Sequence, residues 1–182
     1  MRIIAGQYKG HNILTAKGES TRPTSEKARE SLMAVLGSAG VPLERVADLF
    51  AGSGAVGLEA LSRGASRVWF CESAAPALAA LRANMAHLKI QPEQAVISRD
   101  ALSPPRAPEA PFDLIFMDPP YFSGLGRKAL MAWDKPELIG QDTVIVIETD
   151  AKEDFSCAVG FICYDTRTYG RTRFHFLRRN EA

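Results

Sequence analysis

Val46-Ala47-Asp48-Leu49-Phe50-Ala51-Gly52-Ser53-Gly54-Ala55-Val56-Gly57 is the stretch whose reading decides the fold. Its first five residues form an apolar run holding one acid, the pattern of a strand buried within a parallel sheet. The glycines that follow spell GxGxxG, and the next segment, roughly Ala55 to Arg63, reads as a helix stopped by Gly64. A strand, a tight glycine turn and a helix make the opening unit of a nucleotide-binding α/β sheet.

The same alternation continues downstream. Val68-Trp69-Phe70-Cys71 is a second strand ending in Glu72, followed by a helix from Ser73 to about His87 with Leu78, Leu81, Met85 and Leu88 inward. Ala95-Val96-Ile97 is a short third strand ending near Asp100, and the Pro-rich piece Ser103 to Pro111 is a loop in place of another crossover helix. A fourth strand spans 112–117, a helix lies within 126–133, and a fifth strand runs from Thr143 to Ile147 and ends in Glu148. Phe161 to Thr168 and Arg173 to Leu177, around Tyr169-Gly170-Arg171, form a terminal antiparallel pair. Upstream, residues 2–15 alternate loosely around Gly6 and Gly10 and predict a small hairpin with a basic outer face. Thr24 or Ser25 then caps a helix with Glu26 in its first turn, Ala28, Leu32, Val35 and Leu36 buried, and Lys27 and Arg29 outside. The expectation is one α/β domain over residues 1–182, with residues 1–20 as a hairpin extension. It has a mostly parallel seven-stranded sheet, an antiparallel C-terminal strand and helices on both faces.

Composition narrows the class. At 182 residues, with 46% hydrophobic and 24% charged side chains, the chain suits a soluble globular domain. No apolar run approaches the ~20 residues of a membrane span, and Met1 to Gly6 is too short and polar for a signal peptide. Cys71, Cys157 and Cys163 lack CxxC spacing and His11, His87 and His175 are dispersed, so the reading is no metal site and a cytoplasmic home. The net charge of +1 says little about partners, but residues 1–18 and 166–179 are basic and free of acids. Two such ends suggest a phosphate footprint, against the alternative of solvated charge on exposed strands.

The glycine turn fits the dinucleotide fingerprint, with Glu72 eighteen positions past Gly54. Asp48, four residues before Gly52, argues for a different ligand, because a pyrophosphate does not welcome a nearby carboxylate. S-adenosylmethionine carries an ammonium and a cationic sulfur, which suit an anionic, glycine-lined turn. Glu72 then accepts the ribose hydroxyls and Asp100 takes the adenine amino group. The plainer alternatives are a helix-capping role for Asp48, an exposed strand-end charge at Glu72 and a turn-forming role for Asp100.

Asp118-Pro119-Pro120-Tyr121 directly follows the apolar run Leu114-Ile115-Phe116-Met117. Two prolines cannot donate ladder bonds, so the strand ends in a rigid corner. That corner presents a carboxylate, carbonyls and an aromatic ring. The carboxylate and a carbonyl can accept both hydrogens of an exocyclic amine while the ring stacks on a base.

Asp48-Leu49-Phe50-Ala51-Gly52-Ser53-Gly54 and Asp118-Pro119-Pro120-Tyr121, in this order, resemble motifs I and IV of amino-group methyltransferases. Arg2-Ile3-Ile4-Ala5-Gly6, Arg22-Pro23-Thr24 with Arg29-Glu30, Gly57 to Ala65, and Tyr169-Gly170-Arg171-Thr172 extend the likeness nearly end to end. Together they resemble the RsmD family, bacterial 16S rRNA guanine-N2 methyltransferases. Ala5 stands where a second glycine is common and His11 where arginine is usual. The resemblance implies a Rossmann-like class I methyltransferase fold, S-adenosylmethionine as cofactor with S-adenosylhomocysteine as product, and no metal. It implies a monomer whose partner is 16S rRNA in the small subunit or a late assembly intermediate, with a helix-31 loop guanine as target. Asp118, Pro119 and Tyr121 are then catalytic. Asp48, Phe50, Gly52, Ser53, Gly54, Glu72, Asp100, Ala101 and Asp118 bind the cofactor. Lys9, His11, Arg22, Lys27, Arg29, Arg171 and Arg173 face RNA. Adenine-N6 and glutamine-N5 methyltransferases share this corner, the latter usually with Asn in place of Asp118. An NAD-binding oxidoreductase and an idle RNA-binding assembly factor are the readings from other classes.

Overall fold

The structure is a computed structural model, and it describes residues 1–15, 26–106 and 110–180. The elements are α1 (Glu26–Ser38), β1 (Arg45–Leu49), α2 (Ala55–Ser62), β2 (Arg67–Cys71), α3 (Ala75–His87) and β3 (Ala95–Ser98). They continue with β4 (Leu114–Met117), α4 (Leu125–Trp133), β5 (Val144–Asp150), β6 (Phe161–Tyr169) and β7 (Thr172–Arg179).

One seven-stranded sheet has the order β3-β2-β1-β4-β5-β7-β6. β1 to β5 are mutually parallel, while β7 is antiparallel to both β5 and β6. This is the sheet expected from the alternation of strand and helix. The order reverses between β1 and β4, which opens a crevice at their carboxyl ends, where open α/β sheets hold ligands.

Alternation along each strand builds a core on both faces. Val46, Phe70, Leu114, Phe116, Val146 and Phe174 pack with Leu32 and Leu36 of α1, Leu58 of α2 and Leu81 of α3. Ala47, Leu49, Ile115, Met117, Ile145 and Leu177 pack on the other face against Leu130 and Trp133 of α4. The β3–β4 connection stands in for a helix there. Ala101 and Phe112 join this second core, and the Trp133 indole donates to the Ala101 carbonyl at 2.8 Å.

Two expectations need correction. Residues 1–14 reverse direction as predicted, but with one antiparallel bridge, Arg2 to Asn12, rather than paired strands. The Ile3 N–H donates to the His11 carbonyl at 2.9 Å and the Ile13 N–H to the Met1 carbonyl at 2.7 Å across the turn. Burial of Ile3 and Ile13 draws it onto the main core, where Glu59, Ser62 and Asn84 bond the Ile4, Ala5, Tyr8 and Leu14 backbone. Arg29 was expected outside α1 and is fully buried. Its guanidinium lies 3.6 Å from the Glu59 carboxylate and donates to the Arg2 carbonyl. A buried arginine with a carboxylate partner ties elements together, so Arg29 is no RNA contact. Thr24 and Ser25, the expected caps, and Arg22 lie outside the described residues.

Candidate active site

The glycine turn follows β1 through unusual backbone geometry. Phe50, Gly52 and Gly54 all have positive φ, at 63°, 56° and 83°. A side chain on Gly54 would meet Leu81 Cδ1 at 2.4 Å, and one on Gly57 would meet Phe70 Cε1 at 2.3 Å. Gly57 lets α2 sit close to β2, and Gly54 lets α3 close against the turn itself. The space beside Gly52 is open instead, with nothing within 4 Å of where a Cβ would lie.

Carboxylates hold this turn in shape. Asp48 is buried, and its Oδ2 accepts the Gly57 N–H at 2.8 Å, within the first turn of α2. The capping alternative is therefore correct for one of its oxygens. Burial pushes the Asp48 carboxyl up to about 7; the Gly57 N–H opposes this and the nearby Glu72 charge adds to it. Glu72 accepts the Gly52 N–H at 2.8 Å through Oε2 and the Ala74 N–H at 2.7 Å through Oε1. It is thus a strut between the glycine turn and the start of α3, with a further lone pair on each oxygen. Asp100 is exposed and accepts the Ser103 hydroxyl at 2.6 Å and the Leu102 N–H at 2.8 Å, which lower its pKa. Asp100 thus forms a turn, and it also lines a cavity of about 170 Å³ with Phe50, Glu72, Ala101, Leu102 and Leu125. Four of the residues expected to hold the cofactor therefore share one pocket. The Ser53 carbonyl accepts a bond from Asn84, which also holds Leu14 by N–H and carbonyl.

Across the switch point, the Asp118 N–H donates to the Leu49 carbonyl at 3.1 Å, which sets the start of the Asp-Pro-Pro-Tyr corner beside the end of β1. Pro119 is buried, and the start of α4 lies against it, since a side chain on Gly126 would meet Pro119 Cγ at 3.1 Å. Burial first, then the Glu148 and Asp48 charges, hold the Asp118 carboxyl well above the usual carboxylate range. The Tyr121 hydroxyl donates to Glu148 Oε1 at 2.9 Å, and the Thr172 hydroxyl reaches the same oxygen at 3.2 Å. Burial and the Glu148 charge raise the Tyr121 pKa. Glu148 and Thr172 were not singled out from sequence as site residues. By sequence Glu148 is the end of a strand; the signal available is a fifth acid at a strand's carboxyl end, after Asp48, Glu72, Asp100 and Asp118. Among the described residues no group of three or more His, Cys, Asp or Glu side chains is placed to hold a metal ion.

The basic residues are dispersed. Lys9, His11 and Lys27 are exposed. The acid-free tail acquires partners in space: Arg171 pairs with Asp150 at 2.7 Å, Arg179 with Asp134 at 2.7 Å and Arg167 with Asp165 at 2.9 Å. Arg173 is half-buried and donates to the Thr168 hydroxyl at 3.2 Å.

A glycine-lined turn and an Asp-Pro-Pro-Tyr corner on the two sides of a sheet's switch point are the arrangement of a class I methyltransferase, and this chain is an enzyme of that class. A family model described as Conserved hypothetical protein 95 matches residues 1–178. The chain belongs to that family, the RsmD family. Ribosomal RNA small subunit methyltransferase D of Haemophilus influenzae is 33% identical over 153 residues, covering 82% of this chain and 79% of that protein. YlbH of Bacillus subtilis, named as a candidate rRNA methyltransferase, is 34% identical over 176 residues, covering 94% of this chain and 95% of its own length. Among solved structures, the candidate methyltransferase yhhF from Escherichia coli superposes with a TM-score of 0.81 at 26% identity, over 98% of this chain and 97% of that one.

Proposed function

We propose that this enzyme methylates the exocyclic N2 amine of one guanine in 16S rRNA, within the small ribosomal subunit or a late assembly intermediate. The observation that carries the reading is the Asp118 carboxylate at the switch point, followed by a buried Pro119 and a tethered Tyr121. The names of the rRNA methyltransferase relatives support the substrate class. The enzyme acts as a cytoplasmic monomer, one catalytic domain with an RNA-facing N-terminal extension.

The fit to S-adenosylmethionine rests on the donor set: the open side of Gly52, the Glu72 carboxylate, and the pocket with Phe50, Asp100 and Ala101. Asp48, Gly52, Ser53 and Gly54 hold the ammonium end of the cofactor, Glu72 the ribose hydroxyls, and Asp100 with Ala101 the adenine. When bound, this cofactor supplies a methyl group on a cationic sulfur.

The amine of guanine is a poor nucleophile, because its lone pair is delocalised into the ring. Asp118 and the Pro119 carbonyl accept its two hydrogens, which favours a pyramidal nitrogen with its lone pair aimed out of the ring. Tyr121 stacks on the base, and Asp118 accepts the proton that the methylated nitrogen releases. A carboxyl with an elevated pKa suits that last task. The target is a loop nucleotide, which is already partly unstacked and comparatively cheap to flip. Lys9, His11, Arg22, Lys27, Arg171 and Arg173 contact the RNA backbone.

Labelled S-adenosylmethionine offered with unmodified small subunits, naked 16S rRNA, DNA and a release factor tests this reading. N2-methylguanosine recovered from the subunits is the expected product, and label in DNA or protein overturns the substrate. Asp118→Ala abolishes transfer and leaves S-adenosylhomocysteine binding nearly intact by calorimetry; lost affinity overturns the role given to Asp118.

A further inference from the structure

We propose that Glu148 is a positioning residue for methyl transfer, holding the Tyr121 ring beside Asp118 through a clasp closed by Thr172. The inference rests on the function proposed above and extends it. β4 and β5 run parallel with Met117 opposite Ile147, so the next residues, Asp118 and Glu148, emerge side by side at the crevice. Glu148 is only 1% exposed. A carboxylate withdrawn from water is costly unless donors surround it, and two of the donors here are the Tyr121 and Thr172 hydroxyls, on the same oxygen.

The consequence falls on Tyr121. Pro119 and Pro120 fix the backbone leading to it, and Glu148 fixes the far end of its side chain. Its ring is therefore oriented before a base arrives, and stacking need not restrict it further. Thr172 comes from the turn Tyr169-Gly170-Arg171-Thr172, where Arg171 pairs with Asp150 at the end of β5. That turn thus reaches the reaction centre through a hydroxyl, in addition to any contact with RNA.

Glu148 also places negative charge beside Asp118. Asp48 from β1 adds its charge to that of Glu148 on Asp118, Tyr121 from the corner faces both Glu148 and Asp118, and Arg171 from the turn before β7 faces Tyr121. Burial is the larger cause of the raised Asp118 pKa, and Glu148 is the larger of the two charges adding to it. Neutralising Glu148 with the shape kept therefore moves Asp118 down.

The test compares Glu148→Ala, Glu148→Gln, Tyr121→Phe and the Tyr121→Phe/Glu148→Ala double variant on small subunits across a pH series. Glu148→Ala is expected to raise KM for the particle and to lower kcat by on the order of tenfold through the misplaced ring. Glu148→Gln keeps an acceptor for both hydroxyls, so it recovers most of KM while the acid limb of kcat moves to lower pH. The double variant falls short of the summed single effects. An unchanged KM in Glu148→Ala, additive losses, or an unmoved acid limb in Glu148→Gln overturns the role. Where Glu148→Ala fails to fold, Glu148→Gln carries the test. A second arm needs no substrate. Among the four tyrosines, the ring resonances of Tyr121 are assigned by their loss in Tyr121→Phe and are expected to shift in both Glu148 variants; unshifted signals refute the clasp. If the wild type leaves subunits unmethylated, the proposed function fails, and this arm still decides whether Glu148 holds the ring.

Discussion

Arg29 and Glu59 face each other at 3.6 Å with both side chains at 0% exposure. The pair joins α1 to α2, and the same two residues hold the N-terminal turn. Arg29 donates to the Arg2 carbonyl, while Glu59 accepts the Ile4 and Ala5 N–H groups at 2.8 and 3.1 Å. Without the arginine Glu59 keeps Arg63 at 2.9 Å and the two backbone donors. The Arg2 carbonyl loses its donor, so Arg29→Met should destabilise the fold by about 1–3 kcal/mol in urea unfolding. A loss below about 1 kcal/mol, the ordinary worth of a surface pair, contradicts the buried role.

Gly57→Ala should loosen the contact of α2 with the sheet. Its new Cβ would lie 2.3 Å from Phe70 Cε1 and 2.9 Å from Val68 Cγ1, both in the packed core. Overpacking of this kind costs about 1–3 kcal/mol. Denaturant midpoints read that loss, and weaker S-adenosylhomocysteine binding by calorimetry should accompany it, because Gly57 anchors Asp48. Unchanged stability shows that Phe70 can yield.

Stability should carry a pH signature from Asp48. Burial holds its carboxyl protonated up to about 7 in the folded chain, whereas the unfolded chain releases that proton near pH ~4. Between those values the folded state binds more protons, so this group's contribution to stability declines as pH rises. Asp48→Asn removes the decline, and its stability relative to wild type should climb from about pH 4 to about pH 7. His175, pushed down to about 4 chiefly by burial, gives the opposite slope but is common to both proteins. A pH-independent difference between the two refutes the buried protonated carboxyl.

Binding of small subunits should be salt-dependent through the tail. Arg173→Glu should weaken it and flatten the log–log salt slope by about 1. Arg171→Glu should act in the same direction but less, since Asp150 already offsets that charge at 2.7 Å. Slopes unchanged in both variants exclude the tail from the RNA surface.

The sheet was legible from local pattern, because buried parallel strands need nearly continuous apolar runs, as in Leu114–Met117 and, around the single acid Asp48, Val46–Leu49, whatever their neighbours. The glycine turn and the Asp-Pro-Pro-Tyr corner were equally legible, since backbone-constrained motifs carry their geometry in residue type. Side-chain partnerships between distant segments were not. Arg29 stands at helical spacing with Leu32 and Leu36, on the buried face of α1. Its charge argued for the surface, and only the packing of α1 on α2 with the N-terminal turn supplied the partner that makes it a core ion pair. The acid-free tail met Asp150 and Asp134 only once β7 folded against β5 and near the end of α4. Glu148 gained its place from the β4–β5 register, which sets it beside Asp118 and under Tyr121. Sequence by itself determined the strands, the turns and the chemistry they present, because those depend on neighbouring residues. Tertiary structure alone decided which charges are buried and whom they meet, because burial and electrostatic pairing depend on groups far apart in the chain.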